Sequence, residues 1–301
     1  MILLLQLSII VFMAGSLFQM GLELSVRDAI SGFRNLRFMF FGILFGFLLG
    51  PALAVVLARL LALEEPYALG LILLGMTPSA PFLPMMVTRA RVDADYVPAI
   101  MLLAACGTVL VLPIAVPFLI ENSAIGFQDV ARPLLLLMLS PLAIGMAIYR
   151  VAPGSVDAIL RIVRPVVKVA TIVLLILCII VYGEGFLAAA GSFAIAAQLI
   201  FLGGVTLASF VLSKGLERDQ KCVLALAMST RNVGAALAPL YSVAAIDQRA
   251  VVMVVLAVPA QLLCAFGAAW WFSRDSGKSR HATELSPGGS QSISGDPERP
   301  V

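Results

Sequence analysis

The feature that most narrows what this chain can become is the recurrence of apolar runs about twenty residues long. A run of 18 or more residues with few charges is the length that crosses a bilayer core as an α-helix. Nine such spans can be drawn, at about 2–24, 36–62, 67–88, 96–120, 131–149, 163–183, 193–213, 221–245 and 250–272. Composition agrees, with 61% of the 301 residues hydrophobic and only 12% charged. A soluble domain carries roughly a quarter charged residues. The first run lacks the basic start and small-residue cleavage site of a signal peptide, and its apolar part is too long for one. It is read as the first span of an all-α, polytopic membrane protein.

The basic residues set the expected orientation. The first, third, fifth and seventh connections, together with the tail, hold sixteen of the twenty Lys and Arg residues. The even-numbered connections hold three, Arg59, Arg132 and Arg249. Basic loops stay on the cytoplasmic side, which places the N-terminus outside and the tail inside a cytoplasmic (inner) membrane. Residues 1–272 are expected to form the transmembrane domain. Residues 273–301 are rich in Ser, Gly and Pro, too poor in apolar groups to bury a core, and are expected to be a disordered cytoplasmic tail.

Chemistry-bearing residues are sparse. Cys106, Cys178, Cys222 and Cys264 are scattered singly through apolar runs, and the sole histidine, His281, lies in the tail. No metal site or cofactor is expected from that pattern, and a membrane enzyme would need reactive groups at a shared depth.

Two spans are interrupted. In GMTPSAPFLPMM (75–86), Pro78, Pro81 and Pro84 remove three backbone donors and clash with the carbonyls before them. Lipid offers the freed carbonyls no partner, so such backbone survives at membrane depth only against protein or a wet cavity. The second interruption is Ser229-Thr230-Arg231-Asn232, followed by Gly234 and Pro239. Pro98, Pro113, Pro117, Pro141 and Pro259 stand apart and are read as kinks. The third and eighth spans run in opposite senses. Paired interruptions in oppositely oriented halves point to an inverted-repeat transporter that binds substrate at the midplane. The halves would be about 1–120 and 131–272, the first one helix short, although no residue-level repeat joins them.

Arg231, the twentieth basic residue, falls inside the eighth span. A charge at the bilayer centre costs about 2.5–3.5 kcal/mol on insertion scales. No carboxylate lies at its depth, since Glu23 and Glu184 sit near span ends and Asp247 in a connection. Two readings stay open: the guanidinium caps carbonyls freed by the break, or its counterion is an organic-anion cargo. Weaker features are the stripe Gly42, Gly46 and Gly50, which suits close helix packing within the chain, and the amides Gln19, Gln198 and Gln261.

The segments MGLELSVRD (20–28), GFLLGPALAVVLARLLALEEPYALGLILLGMTP (46–78) and AMSTRNVGAALAPL (227–240) resemble, in order and spacing, the bile acid:sodium symporter family. The likeness runs over about residues 12–272. It implies a nine-span form with a panel and a core domain, two broken helices crossing in the core, organic-anion substrates and sodium as the usual coupling ion. The sequence departs from the sodium-coupled branch at the positions that branch uses for sodium. Aligned on Pro78, its Ser-Asn pair falls on Leu83 and Pro84. Aligned on Asn232, its Glu and Gln fall on Ala227 and Arg231. The fourth-span stretch that supplies further hydroxyls keeps only Thr108. A hard cation needs about six oxygen ligands, so both sodium sites are expected to be absent.

The expected function is secondary transport of a small organic anion by alternating access, with sodium or proton as the candidate coupling ion and the lipid bilayer as surroundings. Candidate substrate-binding residues are Thr77, Pro78, Ser79 and Pro81 from the first break, Ser229, Thr230, Arg231 and Asn232 from the second, and Thr108. No catalytic site and no nucleic-acid partner is expected. The alternatives are an efflux carrier of the related arsenite or auxin type, and a non-transporting membrane sensor or scaffold.

Overall fold

A computed structural model describes residues 2–120, 126–241 and 247–284. These residues form helices α1 (Ile2–Glu23), α2 (Val26–Phe33), α3 (Leu36–Ile43), α4 (Gly50–Leu60), α5 (Glu65–Gly75), α6 (Leu83–Ala90) and α7 (Val97–Leu119). They continue with α8 (Phe127–Leu134), α9 (Ser140–Val151), α10 (Val156–Ala190), α11 (Ala194–Leu212), α12 (Arg218–Ser229), α13 (Val233–Tyr241) and α14 (Gln248–Glu284). Among the described residues there is no strand, only an isolated antiparallel bridge between Pro78 and Arg231. Among the described residues six helical stretches are long and apolar enough to cross a membrane, or seven when α1 and α2, bent by 87°, count as one span. The protein is therefore a polytopic α-helical membrane protein. Leu110, Phe118, Leu136 and Ile179 are among many large apolar side chains left exposed on its outer surface, where lipid would cover them.

The third and eighth expected spans are each two short helices rather than one. At 1.5 Å per residue, α5 rises about 16 Å and α6 about 12 Å, neither enough to cross a core of about 30 Å alone. The segment expected to be a tail, 273–301, lies largely outside the described residues. Ser273 to Glu284 carries no proline, and α14 runs through to Glu284; residues 285–301 lie outside the described residues.

Two helices pass through π-helical turns, and proline explains both. Pro51 has no N–H for the carbonyl four residues earlier, and Gly50 N–H donates instead to the Phe45 carbonyl five residues back. The same happens before Pro141, where Ser140 N–H donates to the Leu135 carbonyl. The first of these turns aims Gly46 and Gly50 at the break after α5. A Cβ on Gly46 would lie 3.0 Å from Pro78 Cγ, and one on Gly50 would lie 3.0 Å from the Gly75 carbonyl oxygen. The glycine stripe thus serves packing inside the chain.

The helices fall into two packed groups. α1 packs along α9 and α10. In the second group α5 packs on α4 and α14, α12 packs on α11 and α7, and α6 packs on α12 and α14. Arg249, at the start of α14, pairs with Asp247 at 2.6 Å and also with Glu64 at the start of α5. Those hydrogen bonds from Arg249 hold the Asp247 carboxyl below the usual carboxylate range.

Within the first group α1 and α9 touch backbone to backbone. A Cβ on Gly145 would lie 2.5 Å from the Phe18 carbonyl oxygen, and one on Gly21 would run into the carbonyl of Leu142. Gly21→Ala is expected to lower stability by about 1–3 kcal/mol, because the helices must part to admit the methyl group. Gly203→Ala, with nothing within 4 Å of the new atom, is expected to be neutral or slightly stabilising. Thermal unfolding of the purified variants in detergent measures both.

Candidate functional site

The two breaks lie against each other and satisfy each other's backbone. Asn232 N–H donates to the Thr77 carbonyl at 2.9 Å, and Ser79 N–H donates to the carbonyls of Thr230 at 3.0 Å and Ala227 at 3.1 Å. Thr230 Oγ1 accepts from Ala80 N–H at 3.1 Å and donates back towards the Leu226 and Ala227 carbonyls at the end of α12. Asn232 Oδ1 accepts from Ala235 N–H at 3.1 Å, capping α13. Ser79 takes a left-handed conformation, φ 62°, to bring its N–H into this exchange. The groups that the prolines and the helix ends leave unpaired are thus answered from the other break, and lipid is asked for nothing.

Arg231 is fully buried and is the largest fully buried side chain. Its own N–H donates to Gln261 Oε1 of α14 at 2.6 Å. Its Nη1 donates to the Gly75 carbonyl at the end of α5 at 3.2 Å, and its guanidinium carbon lies 4.9 Å from the centre of the Phe201 ring on α11. Nε and Nη2 have no acceptor, and no carboxylate pairs with Arg231 among the described residues. The guanidinium caps a carbonyl freed by the break, stacks on an aromatic face and keeps two donors in reserve.

A cavity of about 390 Å³ opens beside the crossing, between the two helix groups. Its wall on one side is α1, through Phe12, Ser16, Gln19, Met20 and Glu23, and α10, through Val167, Thr171, Leu174 and Leu175. The opposite wall is the start of α6 with Pro81, Phe82 and Pro84, the start of α13 with Asn232 and Val233, and α14 with Val258, Gln261 and Leu262. The lining is mostly apolar, with a few hydroxyls and amides. Gly75 and Phe201, which hold the Arg231 guanidinium, are not part of it. Leu83, Val233 and Ala235 N–H groups are already engaged by Ala80, Arg231 and Asn232. What α6 and α13 bring to the cavity is therefore the partial positive charge of two helix N-termini.

Of the expected binding residues, Thr77, Pro78, Ser79, Thr230, Arg231 and Asn232 meet at the crossing, and Pro81, Arg231 and Asn232 line the cavity. Ser79 Oγ, buried without a partner, faces a small hollow that it shares with Pro81, Asn232 and Met20. Ser229 turns inward, its hydroxyl donating to the Leu226 carbonyl of its own helix at 2.7 Å. Thr108 is fully buried on α7 and reaches neither the crossing nor the cavity. Residues outside the candidate set complete the wall: Ser16 and Glu23, which share one face of α1 with the amide Gln19, and Thr171 of α10. That spacing of polar groups within an apolar span was a signal available in the sequence. Of the three amides, Gln261 and Gln19 line the cavity, whereas Gln198 ties α11 to the Met253 carbonyl at 2.8 Å.

A multi-pass α-helical membrane protein with two interrupted helices crossing beside a cavity belongs to the class of membrane transport proteins. More narrowly, the chain belongs to the Sodium Bile acid symporter family, whose profile matches residues 9–188. The matched region takes in the first break and ends before the second. No curated protein matches the chain.

Thr230→Val keeps the shape of the side chain and removes the oxygen that accepts from Ala80 N–H. Leaving that donor buried is expected to cost about 1–3 kcal/mol, and Thr230→Ser should recover most of it. Thermal unfolding in detergent separates the two.

Proposed function

We propose that this protein is a secondary transporter that moves an organic anion by alternating access, with its binding site at the crossing of the two broken helices. The observation that carries the reading is the mostly apolar cavity of about 390 Å³ set against that crossing, with a buried guanidinium and two helix N-termini behind its wall. The family supports it, since sodium and organic anions are what its members carry. In this reading α5 with α6, and α12 with α13, each make one interrupted span. Together with the seven other spans, α1 included, they give nine, with the N-terminus outside, the tail cytoplasmic and the chain in the cytoplasmic membrane. The halves 1–120 and 131–272 are inverted repeats. Their support is that each half holds one interrupted span packed on the helix before it, α5 on α4 and α12 on α11.

Asn232 and Pro81 touch the cargo directly, Thr77, Pro78, Ser79 and Thr230 hold the crossing in shape, and Arg231 neutralises the cargo's charge through the wall. In a low-dielectric surrounding a fixed charge acts over several ångströms. Ser229 and Thr108 serve the packing of their own helices. Arg231 also stands where the sodium-coupled branch of the family has a sodium ligand, and Leu83 and Pro84 offer no side-chain oxygen. One permanent positive charge replaces bound sodium, and transport is coupled to protons or to exchange.

Alternating access draws support from a second hollow along α1. This hollow of about 270 Å³ is lined by Ile9, Ile10, Met13, Gly234 and Tyr241, among others. In its wall Met13 packs on Gly234, so closely that a Cβ there would lie 3.0 Å from Met13 Cγ. Rocking one helix group against the other would open the second hollow and close the first.

Uptake of labelled anions into proteoliposomes tests the reading. Transport is expected to proceed equally with and without a sodium gradient; a strict sodium requirement overturns the replacement of sodium by Arg231. Arg231→Ala is expected to lower uptake by at least about tenfold, the range for losing a charged hydrogen-bonding group. Uptake that survives it unchanged removes Arg231 from the site.

A further inference from the structure

In the anion-transport reading the cavity takes an anion, yet the guanidinium of Arg231 is fully buried and its contacts are the Gly75 carbonyl and the Phe201 ring, neither of which lines the cavity. A second cation stands at the mouth. The cavity face of α10 is Val167, Thr171 and Leu174, and the same face one turn earlier carries Arg164. The cavity face of α1 is Phe12, Ser16 and Gln19, and it ends in Glu23. The two faces close on each other through one cluster. Arg164 Nε and Nη2 both donate to Glu23 Oε1 at 3.1 Å, and Gln19 Nε2 donates to the same oxygen at 3.2 Å. Lys168, exposed, lies one turn further along α10.

We propose that Arg164 recognises the charge of the anionic cargo at the cavity mouth, and that Glu23 is a stand-in carboxylate that holds the guanidinium until the cargo replaces it. The inference rests on the anion-transport reading and adds to it the group that meets the anion. Three properties of the pair support exchange. It is partly solvated, with side chains 60% and 32% exposed for Arg164 and Glu23, so it is held weakly and can be traded. Arg164 Nε and Nη2 both point at one oxygen, a poorer geometry than the two-oxygen fork that a cargo carboxylate would give in exchange. Among the described residues Glu23 is the only acidic one lining the cavity. With Arg164 it is neutralised, and without Arg164 it would repel an anion.

Equilibrium binding of labelled cholate, a carboxylate with an apolar body suited to the lining, tests this in the purified full-length protein. Methyl cholate, which has the same body without the charge, serves as the second probe. Glu23→Gln frees Arg164 and is expected to tighten cholate binding about two- to five-fold, the range that an exposed ion pair carries. Arg164→Gln is expected to weaken it by a similar factor, Arg164→Lys by less, and methyl cholate binding should stay unchanged in all three. Cholate affinity that is unchanged or weaker in Glu23→Gln overturns the proposal. So does an equal loss for both probes in Arg164→Gln, which marks a merely structural role. If wild-type protein binds neither cholate nor pyruvate, the anion-transport reading itself falls, and this inference falls with it.

Discussion

The structure depends on one constraint, that backbone groups buried in a membrane must find partners inside the protein. Three prolines after α5 and the sequence Ser-Thr-Arg-Asn after α12 break two helices where no water is at hand. Each break would be costly alone, since an unpaired backbone group in hydrocarbon costs several kcal/mol. Side by side they complete each other, Thr77 with Asn232 and Ser79 with Thr230. The neighbouring helices are shaped to this pair. The π-turn before Pro51 and the bare faces of Gly46 and Gly50 let α3 and α4 approach it as closely as Pro78 and the Gly75 carbonyl allow.

The same economy explains Arg231. A buried guanidinium is expensive unless its donors are used, and here one is used on the Gly75 carbonyl and the cationic face on Phe201. The sequence left open whether Arg231 caps the break or attracts an anion. The geometry shows the first as its direct contact, and the second stands as part of the proposed function. Fixing the charge to the chain places it permanently at the crossing, at the cost of two donors without acceptors.

The two helix groups differ in what they bring to the cavity. The group built on the breaks holds the buried Arg231 and the two half-helix N-termini. The group of α1, α9 and α10 supplies the facing wall and the charged mouth. The cavity lies between the groups, and the hydrogen bonds of the crossing lie within one of them. Backbone contact of α1 with α9 at Gly21 and Gly145 ties the second group together.

What the sequence by itself determined is what local composition can encode. Run length and low charge made this an α-helical membrane protein, because only about twenty apolar residues can cross a bilayer as a helix. Proline spacing located the first break, the misplaced Arg231 the second, and short segments around both carried the family resemblance. Other matters were settled only by the tertiary structure. Ser229 and Thr108 turn away from the cavity, Gln261 turns towards it, and Glu23 meets Arg164 across 141 residues of sequence. The physical reason is that in a membrane helix the lipid-facing and protein-facing sides are both apolar. Hydropathy then no longer reports which side is buried, and only packing decides which of the few polar groups share a space.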